Sequence, residues 1–325
     1  MASGSRTLEV ERPTELVPDW DTKRVLLVLP VAEMELYGRL LPELEYFYAD
    51  FLRELARWDE VVCLVPDAAR AEKMMRLSGL GAEHFLRASI PDIWVRDFAP
   101  ICTHGEFVRF DYEPASDPQG SSRRVCHAFA AHLGERRIPT RREPLALDGG
   151  NLIHNGAGVG VATRALVARN RGRAASERVR GALGLKRLVL LPQAPGDPAG
   201  HVDGMLRFAG PELLLVNDYA RLEGSRQFQK RLDEILDGRL CHALRVMLPC
   251  HRSRSTLEGW SDARVNYANF LLTGKRVYVP IFGVPEDREA EAVFECVFPG
   301  RVSYVHAEAI ARYGGSLHAI SWNTL

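Results

Sequence analysis

A strand–helix–strand unit recurs five times along the 325 residues, and few folds accommodate that recurrence. The first unit opens with an apolar run from Arg24 to Pro30. Leu41, Leu44, Phe47, Tyr48, Phe51, Leu52 and Leu55 then recur at helical spacing, and Val61–Val65 forms a second buried strand before Pro66. The second unit runs from a strand at Glu106–Tyr112 through a helix at Ser122–Leu133, with Gly134 just past its end, to 144–148. The third runs from Val159–Ala162 through an Arg-rich helix at 174–183 to Leu188–Pro192. The fourth takes in Leu213–Val216, a helix at 225–236 and Leu244–Pro249. The fifth takes in Arg276–Pro280, a helix at 286–298 and Val302–Val305. Five similar units predict sectors of one α/β domain arranged around an axis, residues 21–325, behind a tail at 1–20. A plain doubly wound sheet alternates strands and helices too and is the competing arrangement.

Composition excludes several classes of function. Forty-two basic residues balance forty-two acidic ones, so no net field recruits nucleic acid or a membrane surface. The Arg clusters at Arg136–Arg137, Arg141–Arg142 and Arg169–Arg180 lack interleaved aromatics and read as solvated faces. No apolar run approaches the ~20 residues of a membrane span, and the first residues lack a signal-peptide core. Six scattered cysteines without a C-x-x-C pair fit a reducing cytoplasm.

Five radial units would bring their joints together, and each joint carries polar groups framed by apolar ones. His201 and Asp203 sit two apart on a Gly-flanked connection, where an extended backbone turns both to one side. Alone, such a pair decorates a loop more often than it does chemistry. The other joints change that balance. Asp97 follows Arg96 in the segment Pro91–Pro100, and Asp148 precedes Gly149-Gly150, a pair that suits close backbone approach. Asn266-Tyr267-Ala268-Asn269-Phe270 and Tyr313-Gly314-Gly315-Ser316-Leu317-His318-Ala319 complete the set. Three carboxylates and a histidine in a partly closed centre suit a compact planar cation. A guanidinium fits, since it stays charged and presents donors that carboxylates grip in pairs.

These joint sequences resemble the guanidine-modifying enzymes, most closely the agmatine deiminase and bacterial-type peptidyl-arginine deiminase branch. Trp94-Val95-Arg96-Asp97-Phe98-Ala99-Pro100 is similar to its W-x-R-D-x-G-P, with Ala for Gly. Asp148-Gly149-Gly150-Asn151-Leu152-Ile153-His154 is similar to E-G-G-x-x-H, with Asp for Glu. Gly200-His201-Val202-Asp203 matches G-H-x-D, and Asn266–Phe270 resembles S-Y-x-N-F. Gly314-Gly315-Ser316-Leu317-His318-Ala319 resembles G-G-x-x-H-C. The resemblance implies a five-bladed α/β propeller, the pentein fold, and a deiminase of agmatine, arginine, an arginine derivative or an arginyl peptide. In such an enzyme a cysteine thiolate attacks the guanidinium carbon, ammonia leaves, and water releases a ureido product. Carried onto this chain, Asp97 and Asp203 clamp the guanidinium nitrogens, His201 moves the protons, and Asp148 holds His201. Trp94, Arg96, Asn269 and Gly315 join the substrate-binding set. No cofactor or metal is implied, and a homodimer is left open.

The position the family gives to its nucleophile is Ala319. A methyl group cannot attack, so the chain as written is expected to bind substrate without turning it over. The rest of the site is intact, which favours a Cys-to-Ala change made to trap substrate over natural decay. Cys102, five residues past Asp97, lacks the Gly-Gly-x-x-His setting and is discounted as a substitute. Two other readings share these residues: an amidinotransferase and a natural non-catalytic guanidine-binding protein. A metal site from His201, Asp203 and His154 or His318 has no supporting ligand spacing. For a substrate carboxylate, the available cations in the sequence are Arg96, Arg207 and Arg264, and for a distal ammonium, the face of Trp94.

Overall fold

The computed structural model describes residues 15–30, 41–114, 121–172, 174–250, 256–257 and 260–325, with no account of side chains over 256–261. Each unit is built the same way. The apolar run becomes a central strand whose neighbours differ in direction: an antiparallel strand precedes it, and a parallel one follows after the helix. The parallel pairing is what demands a helical crossover, because no tight turn returns a chain in the same direction.

The first blade contains β1 (Arg24–Val28), α1 (Leu41–Ala56), β2 (Glu60–Val65), α2 (Ala68–Ser78) and β3 (Phe85–Arg87). A one-turn helix, α3 (Val95–Phe98), leads into the second blade: β4 (Ile101–Cys102), β5 (Phe107–Asp111), α4 (Ser121–Glu135) and β6 (Thr140–Ala146). The third blade is β7 (Ile153–His154), β8 (Val159–Thr163), α5 (Ala165–Arg169), α6 (Ala174–Ala182) and β9 (Arg187–Leu191). The fourth is β10 (Leu206–Gly210), β11 (Leu213–Asn217), α7 (Arg226–Arg239) and β12 (Leu244–Leu248). After a two-stranded ribbon, β13 (Thr256–Leu257) and β14 (Trp260–Ser261), the fifth blade is β15 (Leu271–Leu272), β16 (Val277–Ile281), α8 (Asp287–Val297) and β17 (Val302–His306). The chain ends with α9 (Glu308–Ala311) and β18 (Ser321–Thr324).

In all five blades the middle strand pairs antiparallel on one side and parallel on the other. The first blade takes its antiparallel strand from the far end of the chain: β18 pairs with β1, Arg24 against Thr324 and Leu27 against Ser321. The last strand thus closes the ring onto the first. This is the five-bladed α/β propeller expected from the repeat: among the described residues five separate blade sheets, beside the β13–β14 ribbon, replace the single sheet of the competing arrangement. The core is divided to match. One cluster joins α1, β1 and β2 to β16 and α8, and a second packs Phe98, Val125 and Phe129 with Trp322. Among the described residues no helix is long and apolar enough to cross a membrane.

Four details depart from expectation. Residues 15–20, expected to belong to a tail, are part of the fold: Leu16 and Val17 are buried, and Val17 N donates to Cys102 O at 3.1 Å. Gly134 lies inside α4, which runs to Glu135. The left-handed residue beyond it is Arg137, at φ 55°, because Ile138 turns back to donate to Leu133 O. The strand expected at 144–148 occupies Thr140–Ala146. The antiparallel strands β4, β7 and β15, two residues each, are too short for alternation to show, and β10, five residues long, was not anticipated.

Candidate active site

The joints do meet. Asp97 sits on α3, where its own amide donates to Trp94 O at 2.9 Å. Asp148 ends the connection after β6, and Gly149–Asn151 form a 3₁₀ turn packed against α3. A methyl on Gly149 would overlap the Arg96 carbonyl oxygen, so the turn reaches α3 only without a side chain there. The Gly150 amide donates to Asp97 Oδ1 at 2.9 Å, and its carbonyl accepts from Asp203 N at 3.0 Å. Gly150 marks the focus of the site. A methyl placed on it would lie 2.7 Å from Asp97 Oδ1, 2.9 Å from His201 Nδ1 and 3.2 Å from Asp203 Oδ2.

His201 and Asp203 converge for a different reason than strand alternation. Residues after His201 form a turn in which Met205 N and Leu206 N both donate to Val202 O. Asp197 secures the approach, accepting from Ala199 N at 2.9 Å and His201 N at 3.0 Å. His201 Nε2 then lies 3.0 Å from Asp148 Oδ2, with Nδ1 3.6 Å from Asp97 Oδ1. Asp203 Oδ2 pairs with His318 Nδ1 at 2.6 Å. His201 and Asp97 retain 16% and 10% of their side-chain exposure, whereas Asp148 has none, so the cluster opens on the His201–Asp97 side.

Residue 319 belongs to the same cluster. Asn269 Oδ1 accepts from Ser316 N at 3.0 Å and Ala319 N at 3.2 Å, and Asn269 O accepts from His318 N at 3.1 Å. Ala319 O in turn accepts from Arg96 N at 3.2 Å. A methyl on Gly315 would fall 2.5 Å from the Trp94 ring and 3.0 Å from Ala319 Cβ, so glycine lets the Trp94 ring pack against this turn. Asn269 and Gly315, expected among the substrate-binding residues, here hold the Gly315–Ala319 turn. Arg96 directs its guanidinium inward, to Asn323 Oδ1 and to His318 O at 3.4 Å. Arg207 is 1% exposed and bonded to Asp19 and Phe270 O, and Arg264 is paired with Asp262 and Glu308.

Charge in the cluster is unusually arranged. Burial drives Asp97 up to about 7; the His201 charge opposes this, while Asp148 and Asp203 add to it. Burial disfavours the His201 imidazolium, but Asp97, the hydrogen-bonded Asp148 and Asp203 outweigh it and hold it up at about 10. Burial also raises Asp203, against the pull of His201, Arg207 and Arg96. Asp148 stays below its ordinary value despite burial, because His201 and Arg169 both bond it. Burial and the two buried arginines push His318 well down, so it is neutral beside Asp203. Such a set holds a cationic histidine against acids that are short of counter-charge, and a further compact cation would complete it.

One member, Arg169, was invisible in the sequence, and the role of another, His318, was not assigned there. Arg169, expected on a solvated face, is buried to 17% exposure and bonds Asp148 Oδ2, with Nη2 on Ala199 O at 2.9 Å. Nothing in the Arg-rich run distinguishes it from its neighbours. His318 was legible as the histidine of the Gly-Gly-x-x-His run and as a metal-ligand candidate, but not as the partner of Asp203, which lies 115 residues away. Among the described residues no group of three or more His, Cys, Asp or Glu has the arrangement of a metal site.

With the geometry in place, comparison decides the family. The description of the Porphyromonas-type peptidyl-arginine deiminase family matches residues 15–324. The chain belongs to that family. It is 25% identical over 329 residues to an agmatine deiminase of Pseudomonas aeruginosa, covering 84% of this chain and 85% of the relative. The fold matches the C. jejuni agmatine deiminase with a TM-score of 0.80 over 96% of each chain, at 19% identity. It also matches a Cys-to-Ser variant of the C. jejuni agmatine deiminase with substrate bound, with a TM-score of 0.81 and 18% identity.

Proposed function

We propose that this chain binds a guanidinium compound over Gly150, with Asp97 and Asp203 gripping its nitrogens and residue 319 facing the reacting carbon. The observation that carries the reading is the convergence of Asp97, Asp203 and His201 within 3.2 Å of one point above Gly150, next to the turn that carries Ala319. Bonds from a charged donor to carboxylates in a partly closed site are the strong kind. Family membership supplies the reaction class, deimination of the guanidinium to a ureido group.

Ala319 determines how far this chain goes. With a cysteine there, the thiolate would add to the guanidinium carbon and His201 would protonate the departing nitrogen, releasing ammonia. His201 would then take a proton from the water that displaces the thioether. A methyl group stops the sequence before its first bond forms, leaving a substrate complex. The nucleophile's loss costs on the order of 10⁶ in rate in the best-studied hydrolases.

The test is a colorimetric ureido assay on Ala319→Cys against agmatine, arginine, modified arginines and an arginyl peptide, beside calorimetry of the same compounds on the parent chain. Ureido product from one of them, with binding but no product in the parent, is the expected result. No heat from any guanidinium compound in a folded protein overturns the reading. Transfer of the amidino group to an added amine, in place of ureido product, would identify an amidinotransferase.

A further inference from the structure

Behind the candidate site lies a second polar chamber. A cavity of about 40 Å³ is lined by Asp19, Arg96, His154, Arg207, His318 and Asn323, and by Gly149 of the turn that carries Gly150 on its other side. That volume exceeds what one water needs and accommodates two or three waters or one monatomic ion.

The lining carries two guanidinium donors against one carboxylate, with neutral His318 the remaining ring that can accept. Two guanidinium groups border the cavity, and Asp19 is the one carboxylate among the residues that line it. Both oxygens of Asp19 are committed, Oδ2 to Arg207 and Oδ1 to Asn323 Nδ2 at 3.0 Å. Asn323 Oδ1 is taken by Arg96, and Arg207 Nη1 by Phe270 O at 2.9 Å. His154 Nδ1 is fully buried and has no hydrogen-bond partner among the described residues. Burial pushes this histidine down to about 4, with Arg96 and Arg207 adding to the shift against Asp19, so it is neutral; with its one hydrogen on Nδ1 it meets an anion without adding charge. Buried polar atoms without a protein partner mark sites of bound water or ions. Arg96 also feels Asp97 and Asp203, and Arg207 feels Asp203, so once a cationic guest engages those two carboxylates the arginines are left with Asp19 as their counter-charge. Asp97 and Asp203 lie toward the guanidinium site, where a cationic guest would engage them.

We infer that this cavity binds a small monovalent inorganic anion, held by His154 Nδ1–H and the guanidinium groups of Arg96 and Arg207. It would be a structural anion at the back of the guanidinium site; the charge argument rests on the guanidinium binding proposed above, while the halide test below reads the cavity separately from it.

The probe is halide. Crystals of the full chain grown or soaked in bromide should give an anomalous peak in the cavity, in contact with His154 Nδ1. In solution at constant ionic strength, replacing gluconate, too large for this cavity, by chloride should raise the melting temperature along a saturable curve. His154→Leu should abolish both signals. Water density alone in the cavity, or bromide only at the surface, overturns the inference. So does a melting temperature that responds alike to chloride and gluconate in the parent, a comparison that stands even if His154→Leu does not fold.

Discussion

Guanidinium binding should depend on pH through Asp97. Its carboxyl is pushed up to about 7 by burial and by Asp148 and Asp203, against the opposing charge of His201. The ionised form that grips a cation is then about 90% populated at pH 8, about half at pH 7 and about 10% at pH 6. Because apparent affinity scales with the competent fraction, binding weakens roughly tenfold from pH 8 to pH 6. The guest cannot contribute, since a guanidinium stays charged throughout, and His201, held up at about 10, stays cationic over the same range. Asp203, also raised, changes affinity in the same direction. Calorimetric titration of the chain with agmatine at pH 6, 7 and 8 reads the effect, and binding at pH 7 should release protons into the buffer. Asp97→Asn should weaken binding by roughly 10- to 100-fold, the loss of one charge-assisted contact, and flatten the pH profile. An affinity that is level across this range, or higher at pH 6, would refute the reasoning.

Other perturbations follow from the same geometry. Gly150→Ala places a methyl 2.7 Å from Asp97 Oδ1 and 2.9 Å from His201 Nδ1, so calorimetry should register no guanidinium binding while circular dichroism reports a folded chain. Asn269→Ala strands the buried amide of Ser316 and the amide of Ala319, at a cost of about 2 kcal/mol or more in urea unfolding. An unchanged midpoint would remove Asn269 from its positioning role. His201 has a folded value raised above its unfolded one, so its stabilising contribution is complete below about 6.5 and is lost as pH rises toward 10. Between pH 7 and pH 9 the parent should therefore lose on the order of 1 kcal/mol per pH unit that His201→Asn does not, measured by urea unfolding of both at each pH.

The sequence by itself determined the repeat and the residues at its joints. Alternating runs of buried strand and amphipathic helix are local patterns set by side-chain hydrophobicity, so five units were countable without coordinates. The joint motifs likewise named Asp97, Asp148, His201, Asp203 and residue 319. What it could not determine was every contact made across blades. The closure of β18 on β1 joins residues 300 apart, as Arg24 opposite Thr324 does, and no local pattern encodes that pairing. The short strands carry too few residues to alternate. His201 and Asp203 were expected together on an extended segment and are together on a turn, because Asp197 and the Gly150 carbonyl hold that turn in place. Arg169 looked like one of several solvated arginines; burial beside Asp148 decided its role, and burial is a property of the folded chain. Arg96 and Arg207 looked available to a substrate, yet packing turned both inward onto Asn323 and Asp19. The charge states at the centre belong to the tertiary structure for the same reason. A carboxyl held near neutrality and an imidazolium held far above it arise only when distant segments bring several acids and a histidine out of water together.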